Sequence, residues 1–261
     1  MSEQLVLCRI DEGVAVVTLN NPPLNVVTLE LTRQLERTLD RLAADPAARV
    51  LVLTGAGERA FCAGSDIKEF PELMASGMVV DRKMRKENET YSKLDDFPKP
   101  TIAAVAGLAF GGGLELAVCC DLIVVEETAR LALPEIKLGV FPGSGGTVRV
   151  TRRVGEGRAK EMMFFGEAID AATALAWGLV NRVALPGEAL ITACRMAAVL
   201  AERPNKALRI CKQAIDLSFD LSEDEAIRQS LPLSEEVFAS ADCQEGVRAF
   251  FAKEKPRFTH S

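Results

Sequence analysis

Thr101-Ile102-Ala103-Ala104-Val105-Ala106-Gly107-Leu108-Ala109-Phe110-Gly111-Gly112-Gly113-Leu114-Glu115-Leu116-Ala117 runs from an apolar stretch, through glycines, into a second apolar stretch that holds one acid. Residues 101–105 suit a buried strand, and residues 114–120 read as a helix. A strand–glycine–helix crossing of this kind places the Gly112 N–H among the unpaired donors of a helix start. Glycine lets such a donor approach a ligand oxygen closely.

Working outward, residues 50–54 and 122–125 form similar apolar runs. Strands alternating with helices imply an α/β core. Residues 5–10 and 14–19, split by Asp11-Glu12-Gly13, predict a β-hairpin. Thr28 caps a predicted helix over 29–44, with Leu31, Leu35, Leu39 and Leu42 on one face. From Gly155 onward the pattern turns helical, over 158–165, 171–177, 188–201, 205–219, 222–238 and 243–253. No repeat or long linker separates the two parts, so the helical third is expected to pack as a continuation.

The 261 residues are 48% hydrophobic, enough for one well-buried domain or one with a small appendage. A formal charge of −6 with mixed signs argues against nucleic acid or an anionic membrane as the main partner. No apolar run approaches the roughly 20 residues needed to span a bilayer. The first residues lack the pattern of a signal or transit peptide, and cytoplasmic localisation is expected. The seven cysteines, at 8, 62, 119, 120, 194, 211 and 243, contain no C-x-x-C pair, so neither disulfides nor structural zinc is expected. His260 is the only histidine. Triads built on imidazole and histidine metal centres are thereby set aside, leaving carboxylates, lysines or Tyr91 for acid–base work.

Two glutamates stand out. Glu115 lies two residues after three glycines, among Leu114 and Leu116, and Glu135 lies in Leu133-Pro134-Glu135-Ile136-Lys137-Leu138-Gly139. Apolar surroundings raise a carboxyl's pKa towards the range useful for proton transfer. The plainer alternatives are a salt bridge from Glu115 to Arg149 or Arg152, and a helix-start acid at Glu135. Phe61-Cys62-Ala63-Gly64-Ser65-Asp66-Ile67-Lys68 follows the 50–54 strand. It reads as a turn in which Ser65 begins a helix and offers its N–H, or in which Ser65 or Asp66 merely caps. Donors at Ser65 and Gly112 aimed at one point would make an oxyanion hole. Arg82-Lys83-Met84-Arg85-Lys86 reads as a solvated helix face or a phosphate contact. Near the end, Phe250, Phe251, Lys253, Lys255 and Arg257 suit either an adenine and its phosphates or a docking helix.

Taken in this order, these segments, with Pro142-Gly143-Ser144-Gly145-Gly146-Thr147 and Ala174-Leu175-Ala176-Trp177-Gly178-Leu179-Val180, resemble the crotonase (enoyl-CoA hydratase/isomerase) superfamily along essentially the whole chain. The resemblance implies an α/β fold, a ClpP-like spiral of ββα units forming two sheets. A core over 1–195 would be followed by a helical trimerisation region over 196–261. It implies an acyl-CoA substrate and a homotrimer or dimer of trimers, with no nucleic acid, membrane, metal or redox cofactor. By motif position Ser65 and Gly112 supply the oxyanion hole, Glu115 and Glu135 the acid–base pair, and Gly143 helps place a water. Family members that hydrate 2-enoyl thioesters carry both glutamates, so hydration is the expected reaction. Another crotonase-type activity, isomerase or dehydratase, is the alternative, and a non-catalytic acyl-CoA- or RNA-binding role a further one. For CoA the resemblance points to Leu24, Arg59, Ala63, Asp66, Ile67, Lys68, Phe250 and Lys253. Residues 71–80, with Leu73, Met74, Met78 and Val79, are expected to line the acyl pocket. Ser65 departs from the family's frequent alanine and Arg59 from its frequent lysine, which leaves the acyl chain open.

Overall fold

The structure is a computed structural model that describes residues 4–260; residues 1–3 and 261, where part of the reading of the ends falls, lie outside it. Its larger sheet orders six strands as β1 (Val6–Asp11), β2 (Val14–Leu19), β3 (Val50–Gly55), β5 (Thr101–Val105), β7 (Leu122–Glu126) and β10 (Arg182–Ala184). The second sheet orders β4 (Ala60–Cys62), β6 (Leu108–Phe110), β8 (Arg130–Ala132) and β9 (Ile169–Asp170). Only the β1–β2 and β8–β9 pairs are antiparallel. The successive pairs β3–β4, β5–β6 and β7–β8 each give one strand to each sheet, which is the expected ββα spiral.

The sequence periodicity explains the layers. In β3, β5 and β7 alternate residues bury on opposite faces. Leu51, Leu53, Ala103, Val105, Ile123 and Val125 face the main core. Val50, Val52, Ile102, Ala104 and Val124 face a second layer closed by α8 (Ala189–Ala201) through Ala189, Ala193, Ala197 and Ala201. Alanines four apart make one smooth helix stripe that lets α8 lie close on the sheet. The 195/196 division therefore falls inside a helix that packs on the sheet.

Helix α1 (Leu29–Ala44) buries Leu31, Leu35, Leu39 and Leu42 and is capped by Thr28, whose hydroxyl accepts from the Leu31 N–H at 3.1 Å. A 3₁₀ turn (Ile67–Glu69), α2 (Phe70–Ala75), a π-helical turn (Val79–Met84) and α3 (Arg85–Asp95) link the β3–β4 unit to β5. Helix α4 (Gly112–Ala117) follows β6 and is shorter than the expected 114–120. A 3₁₀ turn (Glu135–Leu138) follows β8. The chain continues through α5 (Gly146–Val154), α6 (Glu156–Phe165) and α7 (Ala171–Trp177). Beyond α8 lie α9 (Asn205–Asp220), α10 (Glu223–Phe238) and α11 (Ala241–Ala252). The region after Gly155 is not purely helical, since β9 and β10 return to the two sheets.

Candidate active site

The short strands β4, β6 and β8 are parallel neighbours, with Ala60 opposite Leu108 and Phe110 opposite Ala132. Their C-terminal ends therefore deliver the Gly64-Ser65 turn, the Gly111-Gly112 turn and Glu135 side by side. Ligands gather at this end of strands in α/β sheets. Of the two readings of this turn, the helix start at Ser65 does not occur and the cap does. Ser65 makes a parallel bridge to Val27, in which the Val27 N–H donates to the Gly64 carbonyl and the Asp66 N–H to the Val27 carbonyl. That pairing turns the intervening Ser65 N–H to the other side, towards Gly112. Asp66 is the cap instead, its carboxylate accepting from the Lys68 N–H at 3.0 Å.

Glycine geometry fixes the second donor. Gly111 has φ +53°, and a Cβ there would lie 3.0 Å from Glu135 Oε1. A Cβ on Gly113 would collide with the Cys62 carbonyl, so the first turn of α4 rests directly on β4. The Gly112 N–H, at the first turn of α4, has no helical acceptor. A Cβ on Gly112 would sit 3.6 Å from the Ser65 nitrogen, and one on Gly64 would sit 3.5 Å from the Gly112 nitrogen. The two amides are thus adjacent.

Glu115, 3% exposed, projects from the first turn of α4. The salt-bridge alternative does not occur: Arg149 pairs with Asp95 at 2.9 Å and Arg152 with Asp220 at 2.6 Å. Glu115 Oε1 instead accepts the N–H groups of Ser144 and Gly146, both at 2.8 Å. Burial pushes its pKa up to about 8; the Gly146 hydrogen bond opposes that, and the charges of Glu135 and Glu87 add to it. Glu135 Oε1 lies 3.0 Å from where a Cβ on Gly111 would stand, next to the first turn of α4 that carries Glu115. Glu135 opens its 3₁₀ turn, as the helix-start alternative has it, and it also reaches the site: Oε2 is buried with no hydrogen-bond partner among the described residues. Burial raises its pKa too. An unpaired buried oxygen is costly and calls for a ligand group.

Gly143 lies beside this pair. Its carbonyl accepts from Asn88 Nδ2 at 2.9 Å, and a Cβ there would strike the Met84 methyl. A cavity of about 900 Å³ adjoins it, lined by Val80, Met84, Asn88, Ser92, Val140 and Phe141. Of the residues 71–80 expected to line an acyl pocket, Leu73 is buried, Met74 and Met78 are exposed, and Val80 lines this cavity.

Of the expected CoA contacts, Leu24, Ala63, Asp66, Ile67 and Lys68 form a rim contiguous with Ser65, the Ala63 N–H bonding the Leu24 carbonyl at 2.9 Å. Arg59 is exposed just before β4. Phe250 and Lys253, at the end of α11, have no hydrogen bond or ion pair to Ser65, Gly112, Glu115 or Glu135 among the described residues, and Phe250 is 78% exposed.

The basic run at 82–86 is not simply a solvated face. Lys83 is 1% exposed and donates to the Val27 carbonyl (3.1 Å) and Glu69 Oε2 (2.6 Å), with Glu87 Oε1 at 3.2 Å. Glu87, 2% exposed, is a buried acid that the residue reading overlooked. The available signal was spacing: Lys83, Glu87, Tyr91 and Leu94 fall on one helical face that ends in apolar residues.

The enoyl-CoA hydratase/isomerase family matches residues 9–261. A probable enoyl-CoA hydratase of Mycobacterium bovis is 38% identical, with both chains fully covered. The short-chain-enoyl-CoA hydratase of Clostridium acetobutylicum is 36% identical over 96% of this chain and 95% of its own. The crystal structure of an enoyl-CoA hydratase from Bacillus anthracis superposes with a TM-score of 0.93 at 32% identity, covering 99% of this chain and 100% of that one.

Proposed function

The chain belongs to the enoyl-CoA hydratase/isomerase family, and from that premise we propose that it adds water reversibly across the C2=C3 bond of a 2-trans-enoyl-CoA, giving the 3-hydroxyacyl-CoA. The observation that carries this reading is two carboxyls beside the adjacent Ser65 and Gly112 amides: the buried Glu115 on α4, and the partly buried Glu135, whose Oε1 lies against Gly111 and whose Oε2 is buried without a partner among the described residues. An isomerase moves one proton along the substrate. A hydratase must also hold and deprotonate a water, which the second carboxyl supports.

In this reading the Ser65 and Gly112 N–H groups hold the thioester oxygen and stabilise the enolate as its charge develops. The water rests between the two carboxyls near Gly143. Glu115 takes one proton from it as its oxygen bonds to C3, and Glu135 gives a proton to C2. The elements of one water are added, and no oxidation state of a cofactor changes, so we assign no metal or redox group.

The pair must carry a single proton. In the empty site burial favours that proton on Glu115. Bound substrate covers the partly exposed Glu135 and desolvates it further, which favours the proton on the acid that must donate it. The two N–H groups on Glu115 Oε1 then stabilise the resulting carboxylate.

We place the acyl tail in the cavity by Gly143. CoA lies along Leu24, Arg59, Ala63, Asp66, Ile67 and Lys68, with Phe250 and Lys253 reaching the adenine from a neighbouring copy. A homotrimer or dimer of trimers, a place in the cytoplasm and a role in fatty-acid β-oxidation complete the reading. No described helix is long and apolar enough to cross a membrane, and the cysteines are unpaired. Purified protein is expected to consume crotonyl-CoA, seen as loss of the conjugated thioester's ultraviolet absorbance. Migration of a 3-enoyl double bond without any such loss would replace the assignment by an isomerase.

A further inference from the structure

Glu87 ties together two loops that lie far apart in sequence. Its Oε1 accepts the Ser65 hydroxyl at 3.1 Å and its Oε2 accepts the Ser144 hydroxyl at 2.8 Å. Each serine also exposes a main-chain N–H that the site uses. The Ser144 N–H donates to Glu115 Oε1, and the Ser65 N–H is one of the two adjacent amides assigned above to the thioester oxygen. Neighbours on the same run hold the adjoining backbone: Asn88 Nδ2 donates to the Gly143 carbonyl at 2.9 Å and the Tyr91 hydroxyl to the Gly112 carbonyl at 3.2 Å. Lys83, one turn earlier, fixes the Glu87 carboxylate and also ties the Val27 carbonyl, on the residue bridged to Ser65.

We propose that Glu87, anchored by Lys83, is a positioning residue that sets the spacing between the oxyanion amides and Glu115 through the Ser65 and Ser144 hydroxyls. The proposal rests on the hydratase reading and assigns the site a third acid that does not touch substrate. It also gives the serine at 65 a purpose, since only its amide is needed for the oxyanion hole. The logic is geometric: a bound thioester must meet both the amides and the base, and a shift of about 1 Å between them can cost on the order of a hundredfold in rate. The buried carboxylate costs desolvation free energy, which the lysine and two hydroxyls offset.

The titratable groups around Glu87 are Lys83 and Tyr91 on its own run, Glu69 from the preceding 3₁₀ turn, Cys62 from β4 and Glu115 from α4. The Glu87 charge is among the causes that raise Glu115. Glu87→Gln is therefore expected to lower kcat for crotonyl-CoA by about tenfold with KM within about twofold, and to move the alkaline limb of the pH profile to lower pH. Ser65→Ala and Ser144→Ala together remove only the two hydroxyls, keeping both amide donors and the Glu87 charge, and are expected to reproduce the kcat loss. Combining them with Glu87→Gln should add little further, because the groups act as one unit.

Binding of acetoacetyl-CoA, scored by the near-ultraviolet absorbance of its enolate, reads the amide clamp without turnover, and the enolate fraction should fall in the same variants. If wild type binds this ligand as enolate but hydrates no enoyl-CoA, the reaction assignment fails while the positioning role is still scored on the enolate. Wild-type kcat and enolate fraction in the serine double variant, whose pH limb should stay where it is because Glu87 keeps its charge, or additive effects with Glu87→Gln, would overturn the proposal. Should Glu87→Gln not fold, the serine double variant alone decides it.

Discussion

At the scale of single residues, the decisive tension is that Glu115 is buried yet must act as a base. Its Oε1 is held by two main-chain donors, which leaves Oε2 for water. Glu115→Gln keeps the shape and the acceptor and removes the proton exchange, so kcat should fall by at least about a hundredfold while acyl-CoA binding persists. Glu135→Gln should do the same, read by steady-state kinetics and by titration with a saturated acyl-CoA. The shifted pKa also predicts a stability signature. For an acid whose folded pKa is raised, burial disfavours the charged form, so stability is lost as pH rises from the ordinary 4.5 to about 8. Glu115→Gln has no such dependence. Its Tm relative to wild type should therefore climb across that window and level off above it; a flat difference would show that Glu115 is already ionised at neutral pH in the fold. In the kinetics, loss of the pair's shared proton above about 8 should bring kcat/KM down on the alkaline side.

Among the elements, the glycine frames do the structural work and were the most legible. Where backbone must touch backbone, no side chain is tolerated, and the run Gly111-Gly112-Gly113 marks such an approach in the sequence. Gly113→Ala drives a Cβ into the Cys62 carbonyl and must lift α4 from β4. Overpacking of this kind typically costs about 1–3 kcal/mol, and it displaces Gly112 and Glu115 together, so denaturant midpoint and activity should drop in step. Gly157 in α6 has open space around it and a helical conformation. Gly157→Ala should raise stability by up to about 1 kcal/mol with activity unchanged. What escaped the sequence is equally physical. Strands β4, β6, β8, β9 and β10 have two or three residues each, too few to show a period. Helix α5 buries Gly146, Val150 and Val154 four apart, but its valines and threonines mimic a strand. Lys83 and Glu87 look like a surface i,i+4 pair, and only the packing of the π-helical turn against the Val27–Ser65 bridge buries them.

Across the whole molecule, the remaining question is what covers the C-terminal helices. In α9, Ile215 and Phe219 are more than half exposed, as are Ile227 and Leu231 in α10 and Val247, Phe250 and Phe251 in α11. Apolar surface gathered on consecutive helices marks an interaction face more often than a solvated one. Fully burying a side chain such as Phe stabilises by about 1.5–3 kcal/mol. Phe250 and Phe251, edge to face at 5.7 Å and about four-fifths exposed, are the most exposed of these groups. The proposed trimer would account for the exposure, and for Phe250 and Lys253 having no hydrogen bond or ion pair to the site of their own chain among the described residues, because a neighbour's aromatics would meet the adenine instead. Sedimentation velocity at micromolar protein should give a mass of three or six copies. Phe250→Asp with Phe251→Asp should shift that mass towards one copy and raise KM for enoyl-CoA severalfold, while Glu115, Glu135 and the amide clamp stay intact and kcat at saturation changes less. A wild-type monomer with full activity would leave the exposed face unexplained by self-association and would return the adenine contacts to residues 63–68 of the same chain.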